Sequence, residues 1–250
     1  MTPVEARRFE ELTLNSSSAL KQAIHDGWVL RFSPGSNVKR ANSVTPLYPS
    51  LLPIDAKIAY CEAAYASENL PTRFRISDFC EPADLDARLA ARGYERVEPT
   101  FVMVLPLDGG VEIPDTQSIN ELSLDEWLAI AHQLRGDEKE TIAAHRARLI
   151  SLPCRRIHVA LQAEGNTVCV GLGAVLDNDC FGLFDIYTPA PLRNRGYSRQ
   201  LTAGLIAIAR RESARLAFLQ VDEGNLPARH VYEGFGFRPV YRYWYRVKSP

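Results

Sequence analysis

Residues 192–201 read LRNRGYSRQL, and the reading of this stretch decides what kind of chain this is. Arg193, Arg195 and Arg199 surround Gly196, with Asn194, Tyr197 and Ser198 between them, and an apolar-periodic run from about 198 to 213 predicts a helix directly after. The first turn of a helix has backbone N–H groups without intrahelical partners and carries the positive end of the helix dipole. Gly196 tolerates positive φ and lets a ligand approach the backbone, while arginines form charge-assisted hydrogen bonds to phosphate oxygens. Taken alone, RxxGxS is more simply a polar turn that caps a helix. Its neighbours must decide between a turn and an anion cradle.

Upstream, residues 155–164, 166–176 and 179–188 have the apolar, β-rich pattern of three strands, the first two joined through Gly165-Asn166. Downstream come a strand at 217–222, a helix at 226–235 and a strand at 239–247. Asn225, Ala228 and Tyr232 begin 29 residues after Gly196, and their spacings of 3 and 4 place them on one helix face. Asn225 suits the N-cap and Pro227 the first turn, and the small Ala228 leaves room for a ligand along that face. Gly234-Phe235-Gly236-Phe237 follows. The chain has neither the GxxxxGK[ST] of a Walker loop nor the GxGxxG of a Rossmann fingerprint.

The turn-rich stretch at 105–119 divides the chain, with Pro106, Gly109, Gly110 and Pro114 punctuating it. Before it, residues 26–32 and 37–44 read as a hairpin around Ser33-Pro34-Gly35-Ser36, 54–67 and 82–94 as helices, 73–76 as a short strand and 97–107 as a longer one. After it, 123–134 and 139–150 read as helices. RLAARGYERV (88–97) aligns with VYEGFGFRPV (231–240), Gly93 falling on Gly236, so the order helix, strand, helix, Gly-aromatic, strand occurs twice and suggests duplication. Where the second half carries LRNRGYS, the first carries YPSLLPID, rich in prolines that lack an N–H. If a loop binds anions, only the second does.

The 29 basic and 30 acidic side chains leave a formal charge of −1, so no global field draws the chain to nucleic acid or an anionic membrane. Cys61, Cys80, Cys154, Cys169 and Cys180 form no CxxC pair and are odd in number, against a zinc site or a disulfide framework. His132, His145, His158 and His230 lack metal-ligand spacing, so no metal is expected. No GxSxG elbow supports a serine hydrolase. With no apolar leader at the N-terminus and no long apolar run, the expectation is a soluble cytoplasmic protein.

Loop, strand, Asn-Ala-Tyr helix and Gly-Phe turn together, over about residues 115–248, resemble the GCN5-related N-acetyltransferase superfamily. Its pyrophosphate loop reads Gln or Arg, two residues, Gly, one residue, then Gly or Ala. Arg193 and Gly196 match, and Ser198 departs from the final small apolar residue while remaining small. The resemblance implies an α/β (α+β) fold of two tandem domains, mixed central sheets flanked by helices, with the complete acetyl-CoA motif in the C-terminal one. The boundaries expected are a degenerate N-terminal domain at 1–107, a linker at 108–118 and a catalytic domain at 119–250. The plan is similar to tandem acetyltransferases of the mycothiol synthase type.

The same resemblance implies acetyl-CoA as acyl donor, its pyrophosphate held by Arg193, Asn194, Arg195, Gly196, Tyr197 and Ser198, its pantetheine beside Ile186 and Tyr187, with Asn225 and Ala228 completing the site. Tyr232 matches the family's tyrosine acid, a phenol able to meet the leaving thiolate. An ammonium acceptor must lose a proton, and Asp185, Glu223 and Glu138 are the carboxylates near the catalytic strands, Asp185 the first to test. In the first half, Arg31, Arg40 and Asn42 are candidates for holding an acceptor carboxylate. The acceptor expected is a primary amine of a small, amino-acid-like molecule. A protein N-terminus or lysine is the alternative, and a non-catalytic acyl-CoA sensor the alternative of another class. YRYWYR (241–246) reads as a terminal strand with its arginines outward.

Overall fold

The computed structural model describes residues 3–108, 119–152, 154–177 and 179–248. In chain order the elements begin with α1 (Pro3–Ser16), β1 (Lys21–His25), β2 (Trp28–Phe32), β3 (Val44–Pro46), α2 (Ile54–Ser67), β4 (Thr72–Ser77), α3 (Leu85–Ala91) and β5 (Glu95–Pro106). They continue with β6 (Ile119–Leu122), α4 (Leu124–Arg135), α5 (Lys139–Ile150), β7 (Arg155–Ala163), β8 (Asn166–Leu176) and β9 (Cys180–Tyr187). The last four are α6 (Tyr197–Arg211), β10 (Leu216–Asp222), α7 (Leu226–Gly234) and β11 (Arg238–Lys248). Apart from the strand expected at 37–44, elements forecast from periodicity stand within two or three residues of their predicted bounds, and α1, β1 and β6 are additions. The expected linker falls almost wholly on 109–118, outside the described residues.

The chain divides into two compact units, but not as two consecutive stretches. One comprises Met1–Phe101, Ala143–Leu152 and Tyr241–Pro250, the other Val102–Ile142 and Pro153–Val240. This division differs from the boundaries expected at 107 and 119. Strand pairing gives the reason: Tyr243 to Lys248 of β11 run antiparallel to Ser77 to Thr72 of β4, so the end of the chain completes the sheet of its beginning.

In the first unit β1, β2 and β3 are antiparallel neighbours and β3 is parallel to β4, with α2 as the crossover. The expected antiparallel pairing across Ser33–Ser36 is present as β2 with β3, and β1 adds a tighter hairpin before it. His25 pairs with Trp28 across Asp26-Gly27, both at positive φ (43° and 82°), the two-residue turn whose twist suits a hairpin. Gly27 is obligatory there, because a Cβ would lie 2.5 Å from the Pro49 carbonyl oxygen. The predicted strand at 37–44 is instead a 3-10 turn at Lys39–Ala41 followed by β3. Asn42 enforces this: its Oδ1 accepts from the Ser33 N–H at 2.6 Å and its Nδ2 donates to the Ser33 and Ser36 carbonyls.

The first unit's core packs Trp28, Phe74, Tyr94 and Trp244 around Ile58 and Leu89. At its side lies a buried ion pair. Arg75 (2% exposed) forks onto Glu10 (1% exposed) at 3.0 Å through Nε and Nη2, its guanidinium 3.3 Å from the centre of the Tyr243 ring. YRYWYR does not alternate outward as expected. Arg242 is exposed, but Arg246 is drawn inward onto Asp86 by two 2.8 Å bonds, and Trp244 Nε1 donates to the same carboxylate.

In the second unit β6, β7, β8 and β9 run antiparallel, β9 is parallel to β10 with α6 between them, and residues 102–106 of β5 lie beyond β10. The helix α6 buries Leu201, Leu205, Ile206 and Ile208 against the sheet. Gly171 and Gly204 permit the close approach, since a Cβ on Gly171 would fall 2.7 Å from Leu201 Cδ2 and one on Gly204 would overlap Ile119 Cδ1.

Removing one member of a buried ion pair strands the other without water or counter-charge, at about 3–5 kcal/mol. Glu10→Ala is therefore expected to lower unfolding stability by about that amount in urea titrations. The double change Glu10→Leu, Arg75→Met should lose clearly less. A double variant as damaged as the single one would show that packing, not charge, is what Glu10 supplies.

Candidate active site

The site begins with a register error in the sheet. Val170 of β8 pairs with Tyr187, but Leu172 pairs with Phe184, so Gly171 alone stands opposite Asp185 and Ile186. The extra residue is a β-bulge, and Asp185 adopts φ 51° to make it. A left-handed conformation costs a non-glycine residue roughly 1–2 kcal/mol, with aspartate among the more tolerant. The bulge bends β9 away from its other neighbour: the parallel register with β10 runs from Cys180↔Leu216 to Leu183↔Leu219 and ends. Both strands continue, to Tyr187 and Asp222, without a paired register. Residues 184–187 thus present backbone groups on the side facing a widening gap.

At the C-terminal ends of these strands lies the loop LRNRGYSRQL. The 3-10 turn Ala190–Leu192 leads to Arg193, whose Nε donates to the Thr188 carbonyl at 3.2 Å. Asn194 (φ 62°) and Gly196 (φ 78°) are both left-handed, and Gly196 is the N-cap of α6. Unlike α4, which is closed by a capping box of Ser123 and Glu126, and α7, where Asn225 Oδ1 accepts from the Ala228 N–H at 3.3 Å, α6 has no side-chain cap. A Cβ on Gly196 would meet only Gln200 Nε2, at 4.0 Å. Arg193, Asn194, Arg195 and Arg199 are exposed and Tyr197 and Ser198 half-buried around this opening. First-turn N–H groups without a side-chain cap, open space and the exposed Arg193 and Arg195 suit a pyrophosphate, while the Arg199 guanidinium lies over the Phe235 ring at 4.6 Å.

The corresponding loop of the first unit is filled from within. There the Asp26 carboxylate accepts from the N–H groups of Leu51 and Leu52 at 2.9–3.1 Å, and Pro53 caps α2. Those N–H groups, foremost that of Leu52, hold the Asp26 carboxyl below the usual range. Lys57 Nζ donates to the Asp26 carbonyl at 2.6 Å and lies 3.3 Å from its carboxylate.

Tyr232 lies on α7, 8% exposed, its ring 6.1 Å from Phe237, and no hydrogen bond is formed by its hydroxyl among the described residues. Burial, with a smaller contribution from Cys169, pushes the phenol up to about 12. Cys169 of β8 is itself buried and raised to about 11 for the same reason, and Thr188 Oγ1 donates to its sulfur at 3.2 Å. Cys169 and Thr188 escaped the sequence reading, since neither belongs to a motif; only β8 and β9 in register bring them together. Asp185 is half-buried on the bulge, whereas Glu138 is exposed at the start of α5 and Glu223 contributes its carbonyl to Arg229.

Another residue that sequence reading missed reaches the bulge from α4. Arg135 Nη2 donates to the Asp185 carbonyl at 3.4 Å and lies 3.9 Å from its carboxylate, with the guanidinium 5.4 Å from the Tyr187 ring. In the first unit, Arg31 and Asn42, expected to hold an acceptor carboxylate, bond the protein's own backbone. Arg31 is 1% exposed, with Nη1 on the Arg40 carbonyl and Nη2 on those of Leu14 and Ser17, and burial lowers its pKa to about 10. Asn42 staples the turn after β2. Both Nη atoms of Arg31 hold backbone, because a strand whose residues are all buried has no solvent face, and Asn42 closes the 3-10 turn that follows. Of the three, Arg40 alone is partly exposed.

A family model described as "Probable histone acetyltransferase Rv0428c C-terminal" matches residues 4–246. A Bacillus subtilis (strain 168) protein named "Uncharacterized N-acetyltransferase YobR" is 27% identical over 249 residues, 98% of this chain and 99% of that protein. Among solved structures, a GCN5-related N-acetyltransferase from Kribbella flavida superposes with a TM-score of 0.71 at 17% identity, covering 99% of this chain and 95% of that one. A tandem acetyltransferase of the same superfamily from the clavulanic acid biosynthesis pathway superposes with a TM-score of 0.61 at 16% identity, over 83% and 76%. At these identities the two structures attest the fold. Among the described residues no helix is long and apolar enough to cross a membrane.

The raised pKa of Tyr232 has a defined consequence for pH. A phenol held near 12 keeps its proton throughout the range in which an amine acceptor becomes nucleophilic, and its acid form is lost only as the pH passes that value. Turnover followed to pH 10 is expected to show no alkaline decline assignable to Tyr232. A decline centred below pH 10 that Tyr232→Phe removes would contradict the burial reading.

Proposed function

The chain belongs to this acetyltransferase family, within the GCN5-related N-acetyltransferase superfamily, and is an acyltransferase; we propose that it moves an acetyl group directly from acetyl-CoA to a primary amine, using its second unit. The observation that carries this reading is the uncapped α6 N-terminus at Gly196, set beside the place where β9 and β10 part. Residues 194–198 would hold the pyrophosphate through backbone N–H groups, with Arg193, Arg195 and Arg199 as counter-charge. The backbone of Ile186 and Tyr187 would pair with the pantetheine amides as a neighbouring strand does. Ala228 keeps the α7 face low beside that arm, and Asn225 fixes where α7 begins.

In this reading the acceptor nitrogen attacks the thioester carbonyl, the C–N bond forms, the C–S bond breaks, and sulfur takes the electron pair. Asp185 accepts the proton the ammonium must shed before attack, and the second proton, lost by the nitrogen once the C–N bond has formed, ends on the departing thiolate. Tyr232 faces the sulfur as a donor. Complete transfer from a phenol near 12 to an alkyl thiolate near 8.5 would be uphill by about 5 kcal/mol, so Tyr232 stabilises the developing thiolate by hydrogen bonding.

The first unit is read as a second copy of the plan, with β3, α2 and β4 matching β9, α6 and β10, that has lost its donor site. Asp26 takes the N–H groups a phosphate would need. The acceptor is a small, amino-acid-like amine on this reading. A protein amine is the second reading, favoured by the family description, which names a histone acetyltransferase.

Calorimetry should give one acetyl-CoA per chain. Gly196→Val places a branched side chain at φ 78° in the open space and is expected to weaken binding at least tenfold. Gly165→Val, at φ 77° in the β7–β8 turn, is the control for backbone strain and should leave binding unchanged. Tyr232→Phe should reduce kcat about 10- to 100-fold with acetyl-CoA binding intact. Thiol release against a panel of small amines and lysine peptides separates the acceptors. Two equivalents bound, or equal losses in both glycine variants, would refute the assignment of the donor site.

A further inference from the structure

The bulge at Asp185 is a local distortion that needs support. The backbone there is left-handed, and the β9–β10 pairing that would otherwise hold the strand ends two residues earlier, at Leu183. Gly171 opposite offers no side chain, and Leu201, Leu205 and Ile186 around it are apolar. The guanidinium of Arg135, in the last turn of α4, reaches the bulge. It touches residue 185 twice, at the carbonyl oxygen (3.4 Å) and near the carboxylate (3.9 Å), and lies over the Tyr187 ring (5.4 Å), within 6.0 Å of the Trp127 ring.

The arginine is itself held in place. Trp127, on the same helix, is fully buried. Gly136 closes α4 in the left-handed conformation, its N–H returning to the His132 carbonyl, and His132 Nδ1 lies 2.6 Å from Asp137 Oδ2 just beyond. Helix end, aromatic rings and loop therefore fix the guanidinium before it meets the strand. A planar group seated on rings loses little freedom in making its bonds.

We propose that Arg135 is a positioning residue for acetyl transfer, clamping the β9 bulge so that the Asp185 carboxylate and the backbone of Ile186 and Tyr187 keep the orientation the reaction uses. The proposal rests on the functional reading above for its consequence, and on geometry alone for the clamp. Misplacing a reacting group by about 1 Å costs on the order of 100-fold in rate. The clamp therefore appears in kcat more than in donor affinity, because the pantetheine at Ile186 and Tyr187 supplies only part of that affinity and the pyrophosphate loop is a separate structure.

The test uses the full chain with Arg135→Ala, Arg135→Lys, Asp185→Asn and the double variant Arg135→Ala, Asp185→Asn. Arg135→Ala is expected to lower kcat about 10- to 100-fold while the KM for acetyl-CoA stays within about twofold. Arg135→Lys, which keeps one charged donor, should recover a large part of that loss. The double variant should fall no further than the worse single one, as groups acting as a unit do. An unchanged kcat in Arg135→Ala, a lysine variant no better than alanine, or strictly multiplicative losses would overturn it. A readout independent of turnover is the amide NMR spectrum: Arg135→Ala should move the signals of residues 185–187 and leave those of 194–198 in place. If wild type transfers no acetyl group to any amine, the functional reading fails, and the amide shifts still decide the clamp. Unmoved signals at 185–187 would end it.

Discussion

One residue standing opposite two is the constraint on which the second unit depends. Because Gly171 faces both Asp185 and Ile186, β9 carries an extra residue, bends, and leaves β10 after Leu183. An unbroken parallel sheet would seal its backbone groups into a ladder, and no ligand could pair with them. The glycine serves twice, since the same missing Cβ lets Leu201 and Leu205 of α6 press onto the sheet. Helix placement and strand departure thus arise at one position, which is why the anion-ready end of α6 lies beside the opening between the strands.

Each unit has one parallel strand–helix–strand crossover, and the two begin their helices differently. In the second, α6 begins without a side-chain cap and a glycine holds the left-handed position. In the first, the chain donates its own carboxylate: Asp26, thrown out by the β1–β2 turn, takes two N–H groups, and prolines remove others. An internal carboxylate bonded at 2.9–3.1 Å satisfies backbone donors permanently, because its effective concentration is set by the fold. The polar investment of the first unit lies in architecture. The buried pair Glu10–Arg75, the enclosed Arg31 and the fork of Arg246 on Asp86 all bind protein to protein.

Much of the candidate site is legible in the amino-acid sequence alone. Arg193, Gly196, Asn225, Ala228 and Tyr232 are tied to local conformations, a left-handed cap, an N-cap and a helical face, which spacing of 3 and 4 encodes directly. Less legible are contacts across the sheet. Arg135, Cys169 and Thr188 lie far apart in sequence and carry no motif, and only strand register and the end of α4 bring each to the bulge or to Tyr232. The error over Arg31 and Asn42 has the same origin. A polar residue in a short β-like run reads as solvent-facing, yet burial of the whole strand Trp28–Phe32 turned Arg31 onto backbone carbonyls, and Asn42 is buried in the turn it closes.

By itself, then, the sequence determined the order of elements, the loop that suits an anion, the helix that bears Tyr232, and the resemblance that these make together. These are set by residues within a few positions of one another. Tertiary structure decided the rest. It assigned the end of the chain to the first unit through the β11–β4 ladder, filled one crossover with Asp26, and raised the Tyr232 phenol by burial. It also set Arg135 against Asp185. The physical reason is that hydrogen bonding along the chain is local, whereas burial and strand register depend on which distant segments exclude water from one another.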